Sequence, residues 1–403
     1  MMSSEIKSFE VAHDPLSEVM ELQMGPSHPA SHGTIKFNLR LDGETIDACG
    51  TEIGYLHRGF EKMCEQGTWT QAIPYTDRLN YASPFINNFI FCEAAERLCG
   101  LEIPERASYL RVILSETARI ADHLTCMGMG ASEMGAITAG FYMVETREEL
   151  YNLAAWVSGA RVTVSYGRLG GLVRDVPEGF EDRVRAILEK VETTLATTEK
   201  LLERNRIFLD RMCGIGIMTA EDALSFGLTG PLLRATGVAH DVRKSDPYMV
   251  YDRMDFDICV GSKGDNFDRF NVRFEEVLQS VRIVRQALDQ LPGGPTLADD
   301  PRFVLPAKRD VYENIEGLMN HFKLVIEGAR VPAGEVYFSG EGANGELGFY
   351  LVSDGSGRPY RVRVRPPCFY GMASVETMIR GHSVSDLVAV FGMVNMIGGE
   401  CDR

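Results

Sequence analysis

With 403 residues, 45% of them hydrophobic, the chain can bury a large core, and its length matches roughly two to three domains. A net charge of −16 argues against nonspecific binding to nucleic acid or to anionic lipid. The nine cysteines are scattered, odd in number and free of any C-x-x-C pair, which fits a reducing cytosolic compartment better than a disulfide framework.

Residues 1–17 read as an N-terminal tail; Met1 to Glu18 is polar and acidic and lacks the apolar core of a signal peptide. Residues 18–56 read as strands around the loop Gly25-Pro26-Ser27-His28-Pro29-Ala30-Ser31-His32-Gly33. Its two histidines lie four apart, a spacing that on a helix suggests a zinc site. Proline in a helix interior costs ~3 kcal/mol, so Pro26, Pro29 and Gly33 make this a rigid loop whose histidines need not share a face. Alternation at Ile35, Phe37, Leu39 and Leu41, followed by Asp42-Gly43, predicts a strand entering a hairpin.

Residues 57–213 read as a helical bundle, with helices over 57–66, 82–99, 105–128, 138–159 and 178–209. The breakers are Pro84, Pro104, Gly128 to Gly135, Gly167 to Gly171 and Pro177. Leu110, Ile113, Leu114, Ile120 and Leu124 recur at helical spacing, and Cys92, Cys99 and Cys126 read as small buried hydrophobes. No stretch reads as a span of about 18 apolar residues; the nearest, 120–144, carries Asp122, His123 and Glu133. Residues 214–403 begin with an irregular stretch to 265, of a kind that is usually functional or lies against a partner. Helices follow at 267–291 and 311–323, strands near 335–338, 346–352 and 360–365, and short helices near 372–380 and 384–393. The simplest class is α+β, one integrated unit in which a central helical bundle carries small antiparallel sheets near both ends.

Four motifs stand out. Gly340-Glu341-Gly342-Ala343-Asn344-Gly345 matches G-x-G-x-x-G after a strand, but another strand follows where a nucleotide site needs a helix, so a hairpin loop is the better reading. Arg361, Arg363 and Arg365 give one strand a basic face, either solvated or docked on an acidic patch of a partner. Arg58 and Glu61 read as a charged pair at a helix start, on the surface. Pro74 to Tyr81 places two phenols, an arginine and an aspartate in one turn before an apolar helix.

The runs GPSHPASHG, IGYLHRGFEK, YTDRLNY, RVILSETARIADHL (111–124), GLTGPLLRATGVAHDVRK (227–244) and GELGFYLVSDG (345–355) together resemble the D-type, 49-kDa family of quinone-site subunits in respiratory NADH:quinone oxidoreductase, complex I. The likeness runs from about residue 18 to Arg403. That family is similar in turn to the large subunits of [NiFe] hydrogenases, which implies a hydrogenase-like fold. Hydrogenases hold their metals with two C-x-x-C pairs. Here Arg78-Leu79-Asn80-Tyr81 stands in place of the first, and near the C-terminus Cys401 stands alone. Thiolates select such metals, so the chain is expected to bind no metal or cluster itself.

The resemblance implies a quinone cavity shared with a small subunit that carries the terminal [4Fe–4S] cluster. It implies His32 and Tyr81 as headgroup ligands, for ubiquinone or menaquinone, and Arg78 and Thr163 beside that cluster. It further implies two other neighbours, a C-type subunit and the H-type subunit of the membrane arm. The complex would be a translocase, taking electrons from NADH and translocating protons through its membrane arm. The chain would lie peripherally on the cytoplasmic side of the cell inner membrane. An imidazole titrating near ~6.5 is a ready proton donor, and a phenol near ~10 donates once strong oxyanion character develops. A carboxylate behind the histidine orients it. The family usually has aspartate there; here it is Glu133, expected to reach His32 through a shifted loop or a water. Many members have histidine where Thr163 stands, so the cluster's potential is expected to vary little with pH. The Arg78 charge is expected to favour the reduced cluster, and His28 to shape the loop. Two other readings stay open: a non-catalytic hydrogenase-like scaffold, and a metal hydrolase using His28 and His32 with a third ligand.

Overall fold

A computed structural model describes residues 19–403, and the tail expected over 1–17 lies outside them. Strands β1 (Val19–Met24), β2 (Lys36–Asp42) and β3 (Thr45–Glu52) form an antiparallel sheet in that order. The alternation buries Phe37, Leu39 and Leu41 on one face, and Leu39 pairs with Leu22 and Cys49.

Helices α1 (Phe60–Gln66), α2 (Trp69–Thr76), α3 (Pro84–Cys99), α4 (Glu105–Glu133), α5 (Ile137–Ser158), α6 (Phe180–Leu202) and α7 (Arg206–Met212) follow. Three features differ from the sequence expectation. The short α2 was hidden by Pro74, but Thr68 and Gln71 start it with a reciprocal capping box. The helix expected over 178–209 breaks after Leu202 and restarts where Asn205 accepts from the Phe208 N–H. The glycines after 127 do not end α4. A Cβ at Gly128 would stand 3.1 Å from that of Met143, so glycine here lets α5 pack close.

The small ladder β4 (Gly167–Arg168) with β5 (Gly171–Leu172) precedes α6. The stretch to 265 holds three short helices, α8 (Ala220–Ser225), α9 (Gly230–Arg234) and α10 (Val242–Ser245). Then come α11 (Asn266–Asp289), α12 (Lys308–Glu313) and α13 (Ile315–Ile326). Asn314 ends α12 and caps α13, which splits the single helix expected there. Strands β6 (Gly334–Gly342), β7 (Gly345–Ser353) and β8 (Arg361–Arg365) form a second antiparallel sheet, and α14 (Pro367–Ile379), α15 (Val384–Val394) and α16 (Gly398–Cys401) close the chain. The Gly340–Gly345 run is a hairpin, with Gly342 paired to Gly345 and Ala343-Asn344 as its turn.

One core gathers α2 to α6 and α11 with the β6–β8 sheet. A second joins the N-terminal sheet to α14, α15 and the C-terminus, so the two ends of the chain fold on each other. The class is α+β, as expected. Helix α4 runs through the centre and buries Arg111, Glu116, Arg119, Asp122 and His123. Burial opposes ionisation of Glu116, yet Arg119 and Arg243 hold it down at about 2. Arg111 forms a fork on Glu96, with both contacts at 2.7 Å.

The basic face of β8 docks on the chain's own α1. Arg361 pairs with Glu65 at 3.1 Å, and the Val362 and Val364 N–H groups donate to Glu65 and Glu61. Those carboxylates cover the free edge of the sheet. Cys92 and Cys126 are buried as expected, whereas Cys99, at the end of α3, is only half-buried.

Candidate functional site

His32 ends a single 3₁₀ turn, Pro29–Ser31, in a left-handed conformation (φ 51°). Few non-glycine residues adopt this backbone, and such strain concentrates at functional positions. The turn is held locally: the Ser31 hydroxyl donates to the Pro26 and His28 carbonyls, and the His28 Nδ1 accepts from the Ala30 N–H. His28 therefore shapes the loop. His32 Nε2 lies 3.5 Å from Glu133 Oε1, and its ring packs on Phe391 of α15 with centroids 4.7 Å apart. Among the described residues no three His, Cys, Asp or Glu side chains converge as metal ligands.

Tyr81 lies in the turn between α2 and α3 and is 41% exposed. Burial of the rest of the residue, with Cys368, Asp122 and Tyr151 nearby, holds its phenol above the ordinary range. Beneath it, Asp122 of α4 accepts from Asn80 Nδ2 at 2.7 Å, Ser83 Oγ at 2.9 Å and Asn395 Nδ2 at 2.9 Å. Arg78 points outward, donating to the Pro74 carbonyl and to Asp77. Burial pushes Asp77 up to about 6 although Arg78 opposes it. Thr163 is half-buried in the bend after α5, beyond Arg161, which pairs with Glu148.

The C-terminus joins these two parts. Arg58 is exposed, as expected, but it does not pair with Glu61: it donates to the Gly399 and Arg78 carbonyls and so ties α16 to the Tyr81 turn. Asp402 accepts from the Gly54 and Leu56 N–H groups. Asn344, from the glycine-rich hairpin, accepts from Asn395 at 2.6 Å and donates to Cys368. Glu400 is buried, and burial pushes it up to about 7 despite relief from Cys368. A Cβ at Gly392 would stand 2.7 Å from Glu133 Oε2, so α15 carries glycine where that carboxylate lies. Asp122, Asn344, Asn395 and Glu400 were missed in the sequence. A mid-helix aspartate within the apolar run 110–124 was the one signal that could have flagged any of them. Just beyond Glu133, α5 exposes Ile137, Phe141 and Tyr142, the apolar side of the same rim.

Residues 133–403 match the family described as respiratory-chain NADH dehydrogenase, 49 Kd subunit. The chain belongs to this family, a component of the NADH-quinone oxidoreductase, complex I. It is 54% identical over 395 residues to the D 1 subunit of NADH-quinone oxidoreductase from Sorangium cellulosum, covering 98% of each chain. It is 56% identical over 384 residues to the D subunit from Myxococcus xanthus, covering 95% of this chain and 92% of that one. Against the C/D subunit from Bdellovibrio bacteriovorus the identity is 51%, across 95% of this chain and 69% of that protein. Among the described residues, no helix is long and apolar enough to cross a membrane.

Proposed function

We propose that this protein supplies the quinone-reduction site of its complex, with His32 and Tyr81 donating to the two carbonyl oxygens of the headgroup. The observation that carries the reading is the His32–Glu133 contact of 3.5 Å at an exposed rim, on a histidine held in a left-handed turn. Two electrons and two protons convert a quinone to its quinol, each carbonyl oxygen becoming a hydroxyl. His32 stabilises the charge that develops on one oxygen and supplies a proton; Glu133 orients the ring and compensates its positive charge. Tyr81, whose phenol is protonated at neutral pH, donates once the other oxygen has gained charge. Electrons arrive from the neighbouring small subunit, to which the resemblance assigns the terminal [4Fe–4S] cluster, with Arg78 and Thr163 on the side toward it. No hydrogenase chemistry is assigned to this chain.

The exposed apolar residues Ile137, Phe141 and Tyr142 support closure of the cavity by partners: the cluster-bearing small subunit, and neighbours of the C and H types. The relative named as a C/D protein favours a C-type neighbour. On this reading the chain is a peripheral member of a translocase on the cytoplasmic side of the inner membrane, and coupling to proton translocation belongs to the membrane arm. The test is Tyr81→Phe in the assembled complex. Quinone reduction by NADH falls at least ~10-fold, while NADH oxidation by ferricyanide holds. Unchanged quinone reduction refutes the assignment and leaves the scaffold reading.

A further inference from the structure

We infer that Asp122 is a positioning residue for Tyr81, and that the Asp122–Asn395 clasp fixes the Tyr81 turn against the helix on which His32 rests. The inference depends on Tyr81 being a headgroup ligand, as proposed above.

Asp122 is fully buried. Its Oδ2 holds Asn80 Nδ2 at 2.7 Å and Ser83 Oγ at 2.9 Å, one residue before and two residues after Tyr81. Its Oδ1 accepts from Asn395 Nδ2 at 2.9 Å. All three donors are neutral, so the carboxylate's interactions go into fixing the turn and not into an ion pair. The turn is braced again where Asn87 donates to the Asn80 carbonyl and the Ala82 N–H donates to Asn80 Oδ1.

Asn395 is the residue that ends α15, in a left-handed conformation with φ 54°. One turn earlier on that helix, Phe391 packs against the His32 ring and Gly392 lies against Glu133. A single short helix thus touches His32 and Glu133 at one place and, through Asn395 and Asp122, the Tyr81 turn at another. The spacing between the two proposed donors is set through α15. A displacement of about 1 Å in a reacting group can cost ~100-fold in rate.

An amide at position 122 cannot do this. A carboxylate accepts at both oxygens, whereas an amide offers one acceptor and one donor, so its NH2 must confront a donor now bound there. Exchanging the pair mends the pattern. With Asp122→Asn and Asn395→Asp together, the new amide donates to the new carboxylate and its oxygen still accepts from Asn80 and Ser83. Asp shares with Asn its tolerance of the left-handed conformation, and the Asn344 amide can turn over to donate.

The test is a double-mutant cycle in the assembled complex, with quinone reduction normalised to ferricyanide reduction by NADH. Asp122→Asn lowers quinone reduction roughly tenfold in the parent and by less than about twofold in the Tyr81→Phe background, because the residue acts through Tyr81. The exchanged pair recovers most of the loss. Where Asp122→Asn does not assemble, Ser83→Ala carries the same cycle, since it removes one donor and keeps the carboxylate. An equal loss in both backgrounds, no loss in the parent, or an assembled exchanged pair without recovery each overturns the inference. If Tyr81→Phe alone leaves quinone reduction intact, the quinone-ligand reading falls and this one with it. A slow Tyr81→Phe complex with an additive Asp122→Asn overturns only the clasp.

Discussion

Glu133 stands 3.5 Å from His32, and the length of its side chain is what spans that gap. Aspartate is one methylene shorter, by about 1.5 Å, and on this backbone it falls short of the ring. Glu133→Asp is therefore expected to slow quinone reduction several-fold, as is Glu133→Gln, which keeps the reach and loses the charge. Assays on membranes normalised for complex content check this, and full activity in Glu133→Asp refutes the requirement for reach. His32 and Tyr81 were singled out through the family resemblance, which rests on short runs of unusual composition around each. Asn395 and Asn344 were illegible. Each is an ordinary asparagine, one after a helix and one in a hairpin, and only the fold brings them within 2.6 Å.

At the level of elements, α15 is the part that the site depends on. Its Gly392 has no side chain because the Glu133 carboxylate occupies that space. Gly392→Ala places a methyl 2.7 Å from Glu133 Oε2, so the carboxylate, the free end of a flexible side chain, must swing away from it. The expected outcome is a drop in quinone reduction with the melting temperature little changed; unchanged kinetics show that Glu133 can shift freely. The helical pattern made α3, α4, α5 and α11 legible to within a few residues. It failed for α2, where an interior proline outweighed a capping box, and after Leu202, where Asn205 restarts the helix. The basic face of β8 was legible as a face, but its partner was not. Glu61 and Glu65 lie some 300 positions away in sequence, and docking on α1 is a matter of tertiary contact.

For the whole molecule, the joined termini make one prediction about pH. Burial raises Glu400 from an ordinary 4.5 to about 7, so the folded chain holds this proton more tightly than the unfolded one. The stability it contributes is complete below pH 4.5, declines as pH rises toward 7 and is lost above it. Glutamine mimics the protonated form. Glu400→Gln is therefore expected to melt near the parent temperature at pH 4.5 and progressively above it as pH climbs to 7, with a constant gap beyond. A gap that does not change with pH, in melts of the purified complex, refutes this. By itself the sequence determined the α+β class, the helical centre, the rigid histidine loop and the lack of paired thiolates. Those rest on local patterning, proline and glycine geometry, and residue chemistry. Only the tertiary structure decided that the N-terminal sheet and C-terminal helices share a core, that α1 is the partner of β8, and that Asp122 and Asn395 meet beneath Tyr81. Such contacts depend on packing between distant segments, for which the linear pattern holds no period.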